Sequence, residues 1–163
     1  MVPIEILQDL KKTADDQNVE PRISIFQSLG NRYVQEDRYV VAQIYNGHLL
    51  AIMDGYGGAR AANYVASNLP AYFRCEYQGI WNKVQARISK DQRVMSKVVG
   101  RTIKSLYTEL MKEESGTTLS LIYVRPIGRN GQGKRRLWLT AATLGDSPLI
   151  IWTGKENIIM PIH

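Results

Sequence analysis

A chain of 163 residues, 44% of them hydrophobic and 22% charged, is long enough to bury a core and has the composition of an ordinary globular domain. No apolar run approaches the roughly 20 residues of a membrane helix, and the single Cys75 excludes an internal disulfide framework. The net charge of +6 is spread along the chain, which does not favour nucleic acid as the partner. These features predict one domain over residues 1–163, with no membrane span, in the reducing cytoplasm.

The first part of the chain carries one strand pattern. Residues 4–10 have apolar side chains at every third position, which predicts an amphipathic opening segment. Alternation of apolar and polar residues over 22–29 predicts a strand, and Gly30-Asn31 predicts the turn that follows it.

A predicted hairpin is the central feature of the sequence. Residues 38–45 are rich in β-formers, and Asn46-Gly47 is the strongest short turn signal in the chain. Residues 49–53 are all apolar, which predicts a strand covered on both faces. This strand ends at Asp54, where a glycine-rich turn begins.

Two helices are predicted after the hairpin. Apolar residues over 61–69 follow a helical stripe that Pro70 is expected to interrupt, and residues 72–80 are expected to be a connection. Residues 95–112 predict a second amphipathic helix, with Ser89 as its capping residue.

Strands return in the last part of the chain, at residues 119–123, 137–144, 149–152 and 158–160. The first two are expected to form a long hairpin around a loop at 126–135. Because strands precede and follow the two helices, we expect an α+β fold with antiparallel sheets.

Three acidic residues lie at the outer ends of the predicted central hairpin. Glu36 and Asp37 precede its first strand, and Asp54 follows its second. Since a hairpin brings its outer ends together, we expect the three carboxylates to converge. Carboxylate and carbonyl oxygens suit a hard cation such as Mg²⁺ or Mn²⁺. The alternative is a tight strand-to-helix turn in which Asp54 caps the following helix.

Four separated motifs also occur in a particular order. They are RYVQED at 32–37, DGYGG at 54–58, SGTT at 115–118 and GDS at 145–147. Together they resemble the metal-dependent type 2C serine/threonine protein phosphatases, the PPM family, over residues 23–152. The resemblance implies an antiparallel β-sandwich with flanking helices, and a site for two Mg²⁺ or Mn²⁺ ions at one end of the sandwich.

The resemblance assigns metal ligands by position. Asp54 would bridge the two metals, and Gly55 would offer its carbonyl. Glu36 and Asp37 would help to hold the second metal and its waters. Asp146 matches a position that borders an additional, weaker metal in some members.

Two catalytic positions are implied as well. Arg32 would bind the phosphate of a phosphoprotein substrate, for which a guanidinium is a planar bidentate donor. Tyr56 stands where many members have a histidine, proposed to protonate the leaving alcohol, and others have a methionine. A phenol is a poorer acid than an imidazolium at neutral pH.

The chain departs from the family after Asp146. The family has further metal ligands downstream, in an Asp-Gly and an Asp-Asn pair, whereas here Glu156 is the only later acid. We therefore expect this chain to correspond to an N-terminal portion of the domain, to hold at most one weakly bound cation and to be inactive by itself. Open sheet edges would then favour association with the missing C-terminal half or with a second copy of the chain.

Two other functions compete with the phosphatase hypothesis. Tyr56 and the absent acids favour a non-catalytic, phosphatase-like binding or regulatory module, whereas the intact acids before and after the hairpin favour the enzyme. Nucleic-acid binding through the basic loop at 129–136 is a third hypothesis. A loop of that kind is more often a solvated hairpin tip.

Overall fold

The fold is given by a computed structural model that describes residues 4–8, 23–84, 92–129, 131, 135–152 and 157–160. The chain divides into two compact units, Met1–Gln35 and Glu36–His163. The single domain expected from the sequence stays a prediction.

Five strands, two consecutive helices and five further strands follow one another along the described parts of the chain. Their order is β1 (Ile4–Gln8), β2 (Ile23–Gln27), β3 (Arg38–Ile44), β4 (Gly47–Met53), β5 (Gly55–Tyr56), α1 (Arg60–Val84), α2 (Gln92–Leu110), β6 (Gly116–Thr117), β7 (Leu119–Arg129), β8 (Arg135–Leu144), β9 (Leu149–Trp152) and β10 (Asn157–Met160). All strand pairs described are antiparallel. The predicted α+β class is therefore confirmed, and the sandwich arrangement stays a prediction.

The first unit contains a two-stranded ladder. β1 pairs with β2, with Ile4 opposite Gln27 and Gln8 opposite Ile23. The strand predicted over 22–29 is confirmed. The opening segment is also a strand over its described residues, so cross-strand pairing overrides the helix-like spacing of its apolar side chains.

The second unit is built on a four-stranded sheet in the order β3-β4-β7-β8. The predicted hairpin is present, but its turn is Tyr45-Asn46, one residue earlier than expected, because Gly47 already pairs with Ile44. Tyr45 takes the left-handed φ of 53° that such a turn requires. Gly47 lies under Tyr123, whose Cζ would be 2.6 Å from a Cβ at that position.

One face of this sheet is covered by the helices. Leu49, Ala51 and Met53 of β4 are buried, whereas Ile52 between them is 61% exposed. The expectation that β4 is covered on both faces is therefore wrong over the described residues. Its continuous apolar run reflects a buried inner face and an outer face that is apolar yet partly open to solvent.

Helix α1 is much longer than predicted. It passes through Pro70 without ending, and residues 72–80, expected to be a connection, are helical. Phe73 and Tyr77 are buried one and two turns after the proline. Their burial outweighs the backbone hydrogen bond that Pro70 cannot make.

Helix α2 confirms the second predicted helix, while its proposed cap, Ser89, lies outside the described residues. The core fills the space between the two helices and the inner face of the sheet. Near the Gly47 end it is aromatic, with the rings of Phe73 and Tyr123 4.9 Å apart. Each such side chain contributes about 1.5–3 kcal/mol through burial.

The later strands agree with the sequence in kind and differ in extent. β7 continues to Arg129, so the loop expected from 126 is shorter than predicted. β9 and β10 pair with each other, Leu149 opposite Met160. Among the described residues, no helix combines the length and apolar character needed to cross a membrane.

Candidate functional site

The outer ends of the β3–β4 hairpin meet, as the sequence predicted. Arg38 lies opposite Met53, which places the residues before β3 beside those after β4. The approach is close, because a Cβ on Gly55 would lie 2.6 Å from the backbone oxygen of Glu36 and 3.2 Å from its Cβ. Position 55 therefore accepts only a glycine without displacing the backbone at Glu36.

Thr118 forms hydrogen bonds with both the backbone N–H and the backbone carbonyl of Asp54. The Asp54 N–H donates to the Thr118 hydroxyl (3.0 Å), and the Thr118 N–H donates to the Asp54 carbonyl (2.9 Å). The Thr117 hydroxyl lies 3.2 Å from the same carbonyl. Thr118 is buried whereas Asp54 is exposed. The main chain is thus fixed, and the aspartate is presented to solvent.

The turn that carries Asp146 is attached to the same threonine. The hydroxyls of Thr118 and Ser147 are 2.8 Å apart, and the Ser120 hydroxyl donates to the Ser147 carbonyl at 2.5 Å. Gly145 has a φ of 90°, and a Cβ there would lie 2.9 Å from the Thr118 methyl carbon. Asp146 is exposed at the tip of this turn.

Ser115 caps helix α1 from a distant part of the sequence. The Ala61 N–H, in the first turn of α1, donates to the Ser115 hydroxyl at 3.1 Å, and Ser115 is buried. The first turn of α1 contains no acidic residue. The alternative in which Asp54 caps this helix is therefore wrong, because α1 begins at Arg60 and its cap comes from the SGTT motif.

Tyr56 has a packing role in this turn. The short strands β5 and β6 pair Tyr56 with Gly116, and the Tyr56 ring lies directly over that glycine. An aromatic ring over a cross-strand glycine shields backbone that lacks a side chain of its own. Tyr56 remains 63% exposed, and its proposed role as an acid stays a prediction.

Arg38 is a site residue that sequence reasoning missed. Its Nη1 donates to the Asp37 carbonyl at 2.6 Å, and its Nε donates to Asn63 Oδ1 at 2.5 Å. The guanidinium thus ties the backbone directly before β3 to helix α1. The sequence signal was the basic residue directly after the acidic pair.

Arg32 belongs to the first unit. It lies in the exposed turn after β2, where its backbone N–H donates to the Leu29 carbonyl at 3.2 Å. Its assignment as the phosphate ligand stays a prediction.

The donor chemistry of this turn suits a hard cation only in part. Asp54 is exposed, and Glu36 and Asp37 lie on the segment whose backbone approaches Gly55, so carboxylate oxygens of the kind that Mg²⁺ and Mn²⁺ prefer are present at this turn. Over the described residues, however, no three His, Cys, Asp or Glu side chains are grouped closely enough to hold a metal. The expectation of at most one weakly bound cation stays a prediction.

Comparison with known proteins identifies the fold and no family. No protein-family model matches the chain, and no curated protein matches it. A solved structure, described as that of a C. elegans sex determining protein, superposes with a TM-score of 0.53 at 20% sequence identity. The match covers 80% of this chain and 31% of that one, so this chain spans about a third of the length of its structural neighbour.

Proposed function

We propose that this chain carries the Asp54-centred part of a metal-dependent phosphoserine/phosphothreonine protein phosphatase site, which hydrolyses phosphate monoesters. The observation that supports it most is the convergence of the SGTT, DGYGG and GDS motifs on Thr118. Hydrogen bonds with Thr118, which is itself hydrogen-bonded to Ser147, fix the backbone of Asp54 while the residue stays exposed. A cation ligand needs this kind of support, whereas an ordinary surface turn does not.

Each residue then has a proposed part in the complete site. A pair of bound Mg²⁺ or Mn²⁺ ions would supply charge neutralisation and a water acidic enough to attack at neutral pH. The Asp54 carboxylate and the Gly55 carbonyl would be ligands. Glu36 and Asp37 would help to hold the second metal and its waters, and Asp146 would border a further cation. Arg32 would orient the substrate phosphate through paired N–H donors.

A second candidate is a non-catalytic, phosphatase-like binding or regulatory module. It is favoured by the position of Tyr56, whose ring covers Gly116, and by the lack of a grouped set of three acidic ligands among the described residues. Under this proposal the fold is kept for a protein partner, and the Asp54 turn is a structural remnant.

We further propose a cytoplasmic location, with a phosphoprotein as the substrate. The support is the exposed free thiol of Cys75, which suits a reducing compartment. The family resemblance that supports the site also suggests two partners, which we propose: a C-terminal half of the domain or a second copy of the chain.

Calorimetric titration with Mn²⁺ tests the phosphatase proposal. We expect weak binding that Asp54→Asn removes, because the carboxylate is the main charged ligand. Glu109→Gln, which removes an exposed acid on α2, is the matched control and should bind Mn²⁺ like the parent. Equal binding by the parent and by Asp54→Asn would contradict the proposed site.

An assay of phosphate hydrolysis tests whether this chain is active by itself. With millimolar Mn²⁺ and a chromogenic aryl phosphate, we expect hydrolysis far below the ordinary enzyme range of about 1 per second or faster. The reason is that a single weakly held cation does not position an attacking water between two metals. Turnover in the ordinary range would show that the described acids are sufficient.

A further inference from the structure

Arg125 occupies a core position at the opposite end of the sheet from Asp54. On β7, the inward series Leu119, Leu121 and Tyr123 continues at Arg125, which is only 5% exposed. The neighbouring Val124 pairs with His48 near the start of β4. Since Asp54 follows the last residue of β4, the two sites are separated by about 20 Å at roughly 3.3 Å per strand residue.

The Trp138 ring lies beside this guanidinium. Arg125 lies directly opposite Trp138 on β8, and its Cζ is 5.5 Å from the Trp138 ring centroid. Burial raises the pKa of Tyr77 and Tyr123, and the Arg125 charge acts on both phenols in the opposite direction. The guanidinium therefore lies beside the Trp138 indole and acts electrostatically on two buried tyrosines.

Two buried nitrogens of Arg125 lack a hydrogen-bond partner. Nε and Nη2 each expose less than 1 Å² and bond to nothing in the part of the chain that the structure describes. An arginine stays protonated, and a buried charge without a partner is strongly destabilising. These two donors also lie on one edge of the guanidinium, where their N–H bonds run parallel and match two oxygens of one anionic group.

We propose that Arg125 is the centre of an oxyanion-binding site that takes a carboxylate or phosphate group through Nε and Nη2, with Trp138 stacked on the guanidinium. The site takes a small anion, because both donors are screened from solvent. This site is independent of the Asp54 turn, so an experiment that rejects the anion site leaves the proposed phosphatase site untouched, and the reverse also holds.

Thermal unfolding with small anions tests this site. The full chain is melted in a metal chelator, with inorganic phosphate, acetate or chloride at matched ionic strength. We expect phosphate, acetate or both to raise the melting temperature relative to chloride, and the responding anion identifies the ligand class. Asp54→Asn should respond like the parent.

Variants at Arg125 distinguish the effect of the paired Nε and Nη2 donors from the effect of a positive charge alone. Arg125→Met should melt higher than the parent without anion, because it removes the unpaired buried charge, and should not respond to the anion. Arg125→Lys keeps the charge but loses the paired donors, so anion affinity should fall about tenfold or more. Arg136→Met, which removes an exposed arginine of β8, is the control and should respond fully.

An NMR measurement on the parent chain tests the site without relying on a variant that folds poorly. The Nε–H proton resonance of Arg125 in the parent chain should shift when the effective anion is added and reach saturation. No response of the parent to either anion, or an equal response by Arg125→Met, would overturn the proposal.

Discussion

Thr118 is the residue on which the candidate site depends most. Its hydroxyl accepts from the Asp54 N–H and contacts Ser147. Thr118→Val keeps the shape of the side chain and leaves both groups without that partner. We expect a loss of about 1–3 kcal/mol in the free energy of unfolding, measured with urea.

Thr108→Val provides the matched control for this change. The Thr108 hydroxyl donates to the Lys104 carbonyl at 2.9 Å on an exposed part of α2. Its replacement should alter stability by no more than about 0.5 kcal/mol. Equal losses for the two valine variants would mean that Thr118 does not brace the turn.

Gly55 gives a second prediction at the scale of one residue. Gly55→Ala would place a methyl group 2.6 Å from the Glu36 backbone oxygen, so the two ends of the hairpin must separate. We expect lower stability, together with weaker Mn²⁺ binding. Gly79→Ala is the control, because nothing lies within 4 Å of its added Cβ in helix α1. That change should stabilise the chain by about 0.5–1 kcal/mol, and a stable Gly55→Ala variant would contradict the close approach.

At the scale of elements, local patterns predicted the longer strands of the central sheet, the hairpin between β3 and β4, and α2. They failed where tertiary contacts decide the outcome. Pro70 signals a helix end, yet the burial of Phe73 carries α1 onward. Likewise, Asp54 has the sequence position of a helix cap, but the cap is Ser115. Its hydroxyl accepts a hydrogen bond from the Ala61 N–H, 54 residues earlier in the chain. A contact between such distant residues leaves no periodic signal in either segment.

The packing of α1 on the sheet predicts a loss of stability in alkali. Burial raises the pKa of Tyr77 and Tyr123, and a hydrogen bond with Tyr72 raises the pKa of Tyr64 to about 12. An unfolded phenol loses its proton near pH ~10. Above that pH the unfolded state binds fewer protons than the folded state, so these tyrosines lower stability as pH rises from about 10 towards 12.

Tyr123→Phe tests this dependence. The buried Tyr123 hydroxyl donates to the Ile44 carbonyl at 2.9 Å, so the variant should be less stable at neutral pH. It should nevertheless lose less further stability than the parent between pH 8 and pH 11, because it cannot form a buried phenolate. Urea unfolding at the two pH values measures both effects. An identical alkaline loss in both proteins would contradict the assignment.

At the scale of the whole molecule, the outer face of the sheet predicts self-association. Val41, Ile52 and Leu139 are exposed on the face opposite the helices, and β3 and β8 each pair with a single strand among those described. Apolar faces and open edges recruit other chains. Light scattering at tens of micromolar should therefore detect a dimer or a larger species.

Ile52→Lys should weaken this association, since it places a charge on a central strand of the outer face. Tyr107→Lys, an exposed position on α2, is the control and should leave association unchanged. A cooperative melt by a monomeric parent chain would contradict the prediction.

The proposed cation-binding turn around Asp54 brings together the SGTT, DGYGG and GDS motifs. Paramagnetic broadening of backbone amide resonances by traces of Mn²⁺ tests it most directly, because broadening depends on distance from the bound ion. We predict that amides at 36–37, 54–58, 115–118 and 145–147 broaden first and together, and that Asp54→Asn abolishes the effect. Broadening centred elsewhere, or unchanged in Asp54→Asn, would contradict the account.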